Sequence, residues 1–350
     1  MNDTRIAKLK EKIKEAEAES VVLFSQKDIF YFTQVDAEGV LVVTLQDVKL
    51  FVSPLYYEQS VKALESNVVL SMHGLEDVKK YLKKEGVHSI AIDLVHSTAG
   101  QYLIFADEFE VKDFSNVTLL LRMIKDKEEI KSIKRAAFTA RNAFMKVFPY
   151  IKIGMSEKEI ADDLTYQIRK AGAQKESFET IVAAGENAAY PHHIPTDKKV
   201  QNGEFLMIDF GVLLDGYNSD NTFTFLMGDR DPDMKHYFNA VFYAQLYATE
   251  MIIPGVTKVK EIEERARKEL KKYNLDEYFI HSLGHGVGLD VHEFPYINLK
   301  NDMIVQPGMI FTIEPGIYMP GKLGIRLENM ILVKENDVEV IAFTPLMEAI

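Results

Sequence analysis

The second half of this chain repeats itself. A long helical pattern is followed by KIGMSEKEIADDL (152–164) and then by the strand FLMIDFG. Further along the same order returns as helix, IPGVTKVKEIEERA (253–266) and the strand MIFTIEPG. Gly154 and Ser156 correspond to Gly255 and Thr257, each pair reading as a glycine turn that feeds an N-cap hydroxyl. Repetition of this kind is the trace of an internal structural repeat. It restricts the fold to two similar halves related by a pseudo-twofold.

Each half supplies two acids: Asp209 and Asp220 from the first, Glu314 and Glu328 from the second. All but Glu328 sit in apolar or glycine-rich stretches, namely FLMIDFG, YNSDNTF and MIFTIEPG. Carboxylates on strands that otherwise read as core are costly unless something positive holds them. With His285 they make a donor set rich in oxygen with a single nitrogen. That set suits one or two divalent cations of the manganese, cobalt or zinc type, and a metal centre straddling the pseudo-twofold follows. The residues imply a metal-dependent hydrolase.

The N-terminal part has a different organisation. VVLF (21–24), VLVVTL (40–45), VKLFVS (48–53) and SIAIDL (89–94) are rich in Val and Ile and of strand length. LKKEG closes an intervening helix at Gly86. These features predict a small α/β domain with a mixed sheet and no catalytic constellation of its own. Asp126, with Glu129 three residues on, then opens a long helix through a capping box. Its stripe of Ile130, Ile133, Ala137, Ala140, Phe144 and Val147 faces a core. The expected division is therefore 1–124 as the α/β domain and 125–350 as an α+β domain begun by this linker helix.

Composition removes several alternatives. The chain of 350 residues has no cysteine, which excludes disulfides, thiolate metal sites and a cysteine nucleophile, and agrees with a reducing cytoplasm. A formal charge of −12 argues against general binding to nucleic acid or anionic membranes. No stretch is apolar for long enough to span a bilayer. The N-terminus carries no apolar signal core, so a cytoplasmic protein is expected.

Spacing sharpens the site. Asp209 and Asp220 flank LLDGYNS, where Asp215-Gly216 is a hairpin signal. A turn centred on Leu214-Asp215 would face the two acids directly, and a loop of Asp215-Gly216 would set them diagonally on one face. Either register brings the carboxylates together. As an ordinary structural group, Asp220 would serve as a turn aspartate after Asn218 and Ser219, a role that does not suit Asp209. Glu314 and Glu328 close a second ribbon across PGIYMPGKLGIRL. Arg326 shares a strand face with Glu328, either as an ion-pair partner of a glutamate or as a substrate anchor beside the metal. His281, His285 and His292 cluster in HSLGHGVGLDVHEF, whose glycines let a backbone approach closely. Rival motifs fail: Leu289 stands where a dinucleotide loop needs its third glycine, HEFPY is not HExxH, and GxSxG is absent.

The order Asp, Asp eleven residues later, GHGxGLxVHE, TIEPG and RxEN resembles the "pita-bread" metallopeptidases. Within them it is most similar to prolidases, with aminopeptidase P, methionine aminopeptidase and creatinase as relatives. The likeness runs through the whole second half, and the N-terminal domain resembles that of prolidases and creatinase. It implies a pita-bread catalytic domain and two divalent ions per subunit (Mn, Co or Zn), with hydrolysis of Xaa-Pro dipeptides by a metal-bridging water. Carried over by position, Asp209 ligates one ion and His285 and Glu314 the other, while Asp220 and Glu328 bridge. Glu314 doubles as proton carrier, His292 supports the oxyanion, and His192 in YPHHIP, with Arg326 and His281, holds substrate. The resemblance further implies a homodimer in which the N-terminal domain packs against the partner and narrows the entrance. It leaves aminopeptidase P, or a non-peptidase relative, as alternatives. Two positions depart from the family pattern: Phe223 stands where Asp-apolar-Thr-Arg-Thr has arginine, and Asn329 where aspartate is commoner.

Overall fold

The computed structural model describes residues 1–229 and 232–342. The chain divides into two compact units, Met1–Arg122 and Met123–Ile350. In the first, six strands form one sheet in the order Val69–Ser71, Val48–Val52, Gly39–Thr44, Ser20–Leu23, Ser89–Ile92, Glu110–Asp113. Gly39–Thr44 pairs antiparallel with both of its neighbours and the other pairings are parallel, so the sheet is mixed as expected. The two edge strands escaped the sequence reading. Glu110–Asp113 is largely exposed and Val69–Ser71 has one buried residue, so neither shows the apolar run of an inner strand.

The second unit begins with the helix Lys127–Val147. Asp126 accepts hydrogen bonds from the Glu128 and Glu129 backbone N–H groups, and the Glu129 carboxylate returns to the Asp126 N–H. This capping box satisfies donors that the first helical turn leaves open. Behind it Ile133, Ala137, Ala140, Phe144 and Val147 are buried.

Two half-domains follow on one plan. In the first, the helix Glu157–Lys170 packs on a sheet ordered Ile181–Ala184, Phe205–Phe210, Asn221–Leu226. In the second, Val259–Lys272 packs on a sheet whose middle order is Gly284–Gly286, Ile310–Ile313, Asn329–Val333. Each has its own core, one around Phe144, Leu164 and Ile208, the other around Ile262, Leu270 and Phe311.

Backbone hydrogen bonds fix the correspondence. Gly154 donates to Val200 at 2.9 Å and Gly255 to Val305 at 2.8 Å, both glycines having positive φ, which a side chain would make costly. Ser156 bridges Lys199 as Lys258 bridges Ile304. Glu157 N–H donates to Lys198 as Val259 N–H does to Met303. One N-cap expectation fails here. Ser156 caps its helix in a capping box with Glu159, but Lys258, not Thr257, is the N-cap of the second helix. The second turn is one residue longer. The Thr257 hydroxyl turns back into it, donating to the Met251 carbonyl and accepting from the Ile253 N–H.

Candidate metal centre

Asp209 lies in the fully buried strand Phe205–Phe210, opposite Thr222. Leu214 pairs with Tyr217, so the hairpin loop is Asp215-Gly216, at φ 52° and 82° as a type I′ turn requires. Of the two registers, the diagonal one holds: Asp220 is offset from Asp209 and shares its face. In the second half, Ile313 pairs with Asn329 and Gly316 with Arg326. That register sets Glu314 directly opposite Glu328. His285 projects from the short strand Gly284–Gly286. A Cβ on Gly284 would strike the Thr312 carbonyl, and one on Gly286 that of Phe294, so only glycine allows this approach.

The five side chains meet in one place. His285 Nε2 is 3.2 Å from Glu314 Oε1 and 3.7 Å from Asp220 Oδ2. Asp209, Asp220 and Glu328 form one set of potential ligand atoms within 4.8 Å of one another, and His285, Glu314 and Glu328 form a second. Asp209 Oδ1 and Glu328 Oε1 are buried with no hydrogen-bond partner. Orphaned, buried carboxylate oxygens are expensive unless a cation takes them. The donor set therefore fits divalent ions, as the sequence implies.

Electrostatics agree. Burial, then the Glu328, Asp209 and Glu314 carboxylates, push Asp220 well above the usual carboxylate range. Burial followed by Glu314 and Asp209 does the same for Glu328. Burial raises Asp209 too, against the opposing pull of Arg326. Glu314 differs: burial acts to raise its pKa, but the His285 imidazole overrides this and holds it at about 2. His285 is raised in turn, burial notwithstanding, by the same partner. Without a metal, His285 and Glu314 are an ion pair in a cluster that resists further negative charge. A dication reverses that resistance.

A cavity of about 810 Å³ opens over the cluster, lined also by His192, His281, His292 and Arg326. The His292 ring stands edge-on to His285 at 4.1 Å. Loss of hydration against the pocket wall, then His285 beside it, lowers its pKa below the ordinary imidazole value. His192 is exposed at the mouth. Half-buried His281 bonds through Nε2 to the Tyr318 hydroxyl at 2.8 Å. Arg326 is buried and committed. Nη2 donates to Asp209 Oδ2 at 2.5 Å, Nη1 to the Tyr318 hydroxyl at 2.9 Å and the Pro191 carbonyl at 3.3 Å, and Nε to the Thr222 hydroxyl at 3.1 Å. Its ion-pair partner is thus an aspartate of the other half, and neither glutamate.

Three supporting residues went unnoticed in the sequence. The Thr222 hydroxyl donates to Glu328 Oε2 at 2.7 Å. The Thr312 hydroxyl donates to Glu314 Oε1 at 3.0 Å and accepts the His285 N–H at 3.1 Å. Tyr318, pushed up to about 12 by burial, is a neutral hydroxyl joining His281 to Arg326. Parity was the available signal. Thr312 and Tyr318 stand two before and four after Glu314, and strand residues an even number apart share a face. Parity also accounts for Phe223. Next to Thr222, it points to the opposite face, stacked on Phe144 with centroids 5.0 Å apart, among Phe210 and Phe225. The departure from arginine has become part of the helix–sheet core.

A duplicated α+β domain that converges four carboxylates and an imidazole on one cavity has the architecture of a divalent-metal hydrolase. Comparison with known proteins makes this specific. The chain belongs to metallopeptidase family M24, whose model matches residues 131–335, and the Creatinase/Prolidase N-terminal domain matches residues 5–124. It is 34% identical over 334 residues, 95% of each chain, to the Xaa-Pro dipeptidase of Pyrococcus furiosus. Among solved structures it resembles the Xaa-Pro dipeptidase from Bacillus anthracis, with a TM-score of 0.94, 31% identity and 99% of each chain covered. It also resembles the X-Pro aminopeptidase from Thermotoga maritima, at TM-score 0.89 and 28% identity over 97% of this chain and 99% of that one. Among the described residues no helix is long and apolar enough to cross a membrane.

Proposed function

We propose that this chain hydrolyses Xaa-Pro dipeptides with two divalent ions per subunit, of the manganese, cobalt or zinc type. One observation carries the reading: five side chains from both halves converge on a single cavity and leave two buried carboxylate oxygens without a partner. The dipeptidases to which the chain is similar supply the substrate class. Asp209 would hold one ion and His285 with Glu314 the other, Asp220 and Glu328 lying between them. Bound there, divalent ions would lower the pKa of a water and polarise the scissile carbonyl.

The chain's own groups do the rest. Glu314, ionised and aimed into the cavity, takes the proton of the attacking water and passes it to the leaving proline nitrogen. His292, kept neutral, offers an N–H to the developing oxyanion. His192 at the mouth meets the substrate's carboxylate end, and His281 lies in the same pocket. Arg326 fixes Asp209 and the Pro191 carbonyl behind that subsite, and from the cavity wall it holds the same carboxylate end of the substrate. A proline amide lacks an N–H, so selectivity rests on ring shape and the terminal carboxylate. The reading includes a homodimer in the cytoplasm, residues 125–350 forming the catalytic unit.

The test is a panel of Met-Pro and related dipeptides against Xaa-Pro-Yaa tripeptides, assayed with each metal in turn. Cleavage of dipeptides over tripeptides is expected. Preference for the longer peptides would move the assignment to aminopeptidase P. Absence of bound metal, with no rescue by Mn, Co or Zn, would favour a binding role.

A further inference from the structure

Glu157 is a carboxylate buried outside the metal cluster. It is the first residue of the helix Glu157–Lys170 and has no exposed surface. Five donors surround it. Oε1 accepts the Ala184 N–H at 2.8 Å and the Asn187 amide at 2.9 Å. Oε2 accepts the Thr196 N–H at 2.9 Å and the Thr196 hydroxyl at 2.6 Å, and it lies 2.8 Å from His193 Nε2. All five belong to 184–196, which runs from the end of the strand Ile181–Ala184 across the mouth of the cavity. The same segment is held a second time, where the Pro191 carbonyl accepts Arg326 Nη1. His192 therefore stands exposed between two tethered neighbours, Pro191 and His193, all three lining the cavity.

The repeat shows that the fold does not itself require this carboxylate. Glu157 and Val259 donate from equivalent backbone positions, to Lys198 and Met303, and the next residues, Lys158 and Lys260, donate to Thr196 and Asn301. Val259 is as fully buried as Glu157. One half thus fills the position with an apolar side chain, which costs nothing in desolvation. The other fills it with an acid, which is stable there only because five donors converge on it. The five donors share one property: they order the segment that carries His192.

We infer that Glu157 is a positioning residue for substrate recognition, clamping 184–196 so that His192 is held at the rim facing the metal cluster. The inference rests on the reading of His192 as a substrate-holding group. Burial alone would raise the pKa of Glu157, but the Thr196, His193, Ala184 and Asn187 donors outweigh it and keep the carboxylate below its usual range. The clamp is therefore charged at neutral pH. Because His192 meets a part of the substrate that does not react, loosening it weakens ground state and transition state alike, which raises KM and spares kcat.

The experiment compares wild type with Glu157→Gln, in which an amide NH2 confronts donors that had faced an oxygen. For Met-Pro, KM should rise about tenfold while kcat stays within about threefold, with metal content unchanged. Hydrogen exchange on the metal-loaded protein should quicken for amides 185–196 and not for the strands bearing the four acids. Thr196→Val, which removes one donor and leaves the cavity lining intact, should shift KM the same way by about threefold. It carries the test if the glutamine variant fails to fold. An unchanged KM overturns the inference, as does a fall in kcat that tracks lost metal or unchanged exchange in 185–196. If wild type does not cleave Met-Pro, the proposed function fails by itself. Exchange in 185–196 then decides the clamp alone, faster exchange supporting it and unchanged protection overturning it.

Discussion

The two halves of the catalytic unit begin from the same backbone and end with different chemistry. Asp209 and Glu314 occupy one position in the repeat, Asp209 near the end of the middle strand of its sheet and Glu314 immediately after the end of the corresponding strand. The residue opposite Asp209 is Thr222, whereas the residue opposite Glu314 is Glu328. Continuing both registers places Asp220 where the second half has Arg326. Met207 faces Ala183 in the first half, and the equivalent Thr312 faces His285. Ile181, Ala183, Ala188 and Met207 thus form a small apolar cluster on the face where the second half carries its imidazole. Duplication supplied the frame, and the site arose from the positions where the copies diverged. Each half also finishes the other: Arg326 pairs with Asp209, and Thr222 bonds Glu328.

The comparison breaks first at Glu314. If it alone of the acids both ligates and moves the proton, Glu314→Gln should lower kcat by about a thousandfold or more in a folded protein. A loss no greater than that from Asp209→Asn would mean the halves are chemically equivalent. Next comes metal affinity. With the His285 nitrogen in the second half, titration of metal-free protein should show two unequal sites, the His285 ion tighter and the Asp209 ion easier to lose. Asp209→Asn and His285→Ala should each cost at least about a hundredfold in kcat/KM, with only the second abolishing the tight site. Equal affinities by calorimetry would remove the asymmetry.

A smaller effect concerns pH. Asp220 and Glu328 have folded pKa values raised well above the ordinary ones. Ionising them disfavours the metal-free fold, so stability is greatest below their unfolded values and declines as pH rises through the raised ones. His285, also raised, adds stability that is lost in the same direction. Glu314, held at about 2, contributes stability above its unfolded value that disappears only toward strong acid. The metal-free Tm should therefore fall by about 3–6 °C from about pH 5 to about pH 8. Saturating metal should abolish the fall, and Asp220→Asn and Glu328→Gln should each reduce it. A slope removed by one variant alone would show that the strain resides in one half. Smallest are the caps. Ser156→Ala should cost about 1 kcal/mol, while Thr257→Ala should act on the turn before its helix and leave helix stability unchanged in hydrogen exchange.

Much of this was legible because it is local. The capping box at Asp126, the N-cap at Ser156, the stop at Gly86 and the inner strands of the N-terminal sheet each depend on residues a few positions apart. The four acids and the imidazole were legible as a set, because charge in an apolar strand needs a reason. The Thr257 hydroxyl misled because one extra residue in the second turn moved the cap to Lys258. Phe223 stood out as a departure from the family pattern, and only strand parity shows that it faces Phe144 and away from the metal cluster. Tyr318, Thr312 and Thr222 are ordinary residues until a second strand is placed beside them.

The sequence by itself determined the repeat, the order of the four acids and the histidine along the chain, and the class of chemistry they imply. It could do so because carboxylates on apolar strands are costly unless a cation or a proton neutralises them. Tertiary structure decided which hairpin register holds, that Arg326 serves Asp209, and that five donors converge on Glu157. The last two outcomes depend on contacts between residues far apart in the chain. Which donor meets which acceptor across such a distance is set by the packing of whole elements, a property that no single stretch of sequence contains.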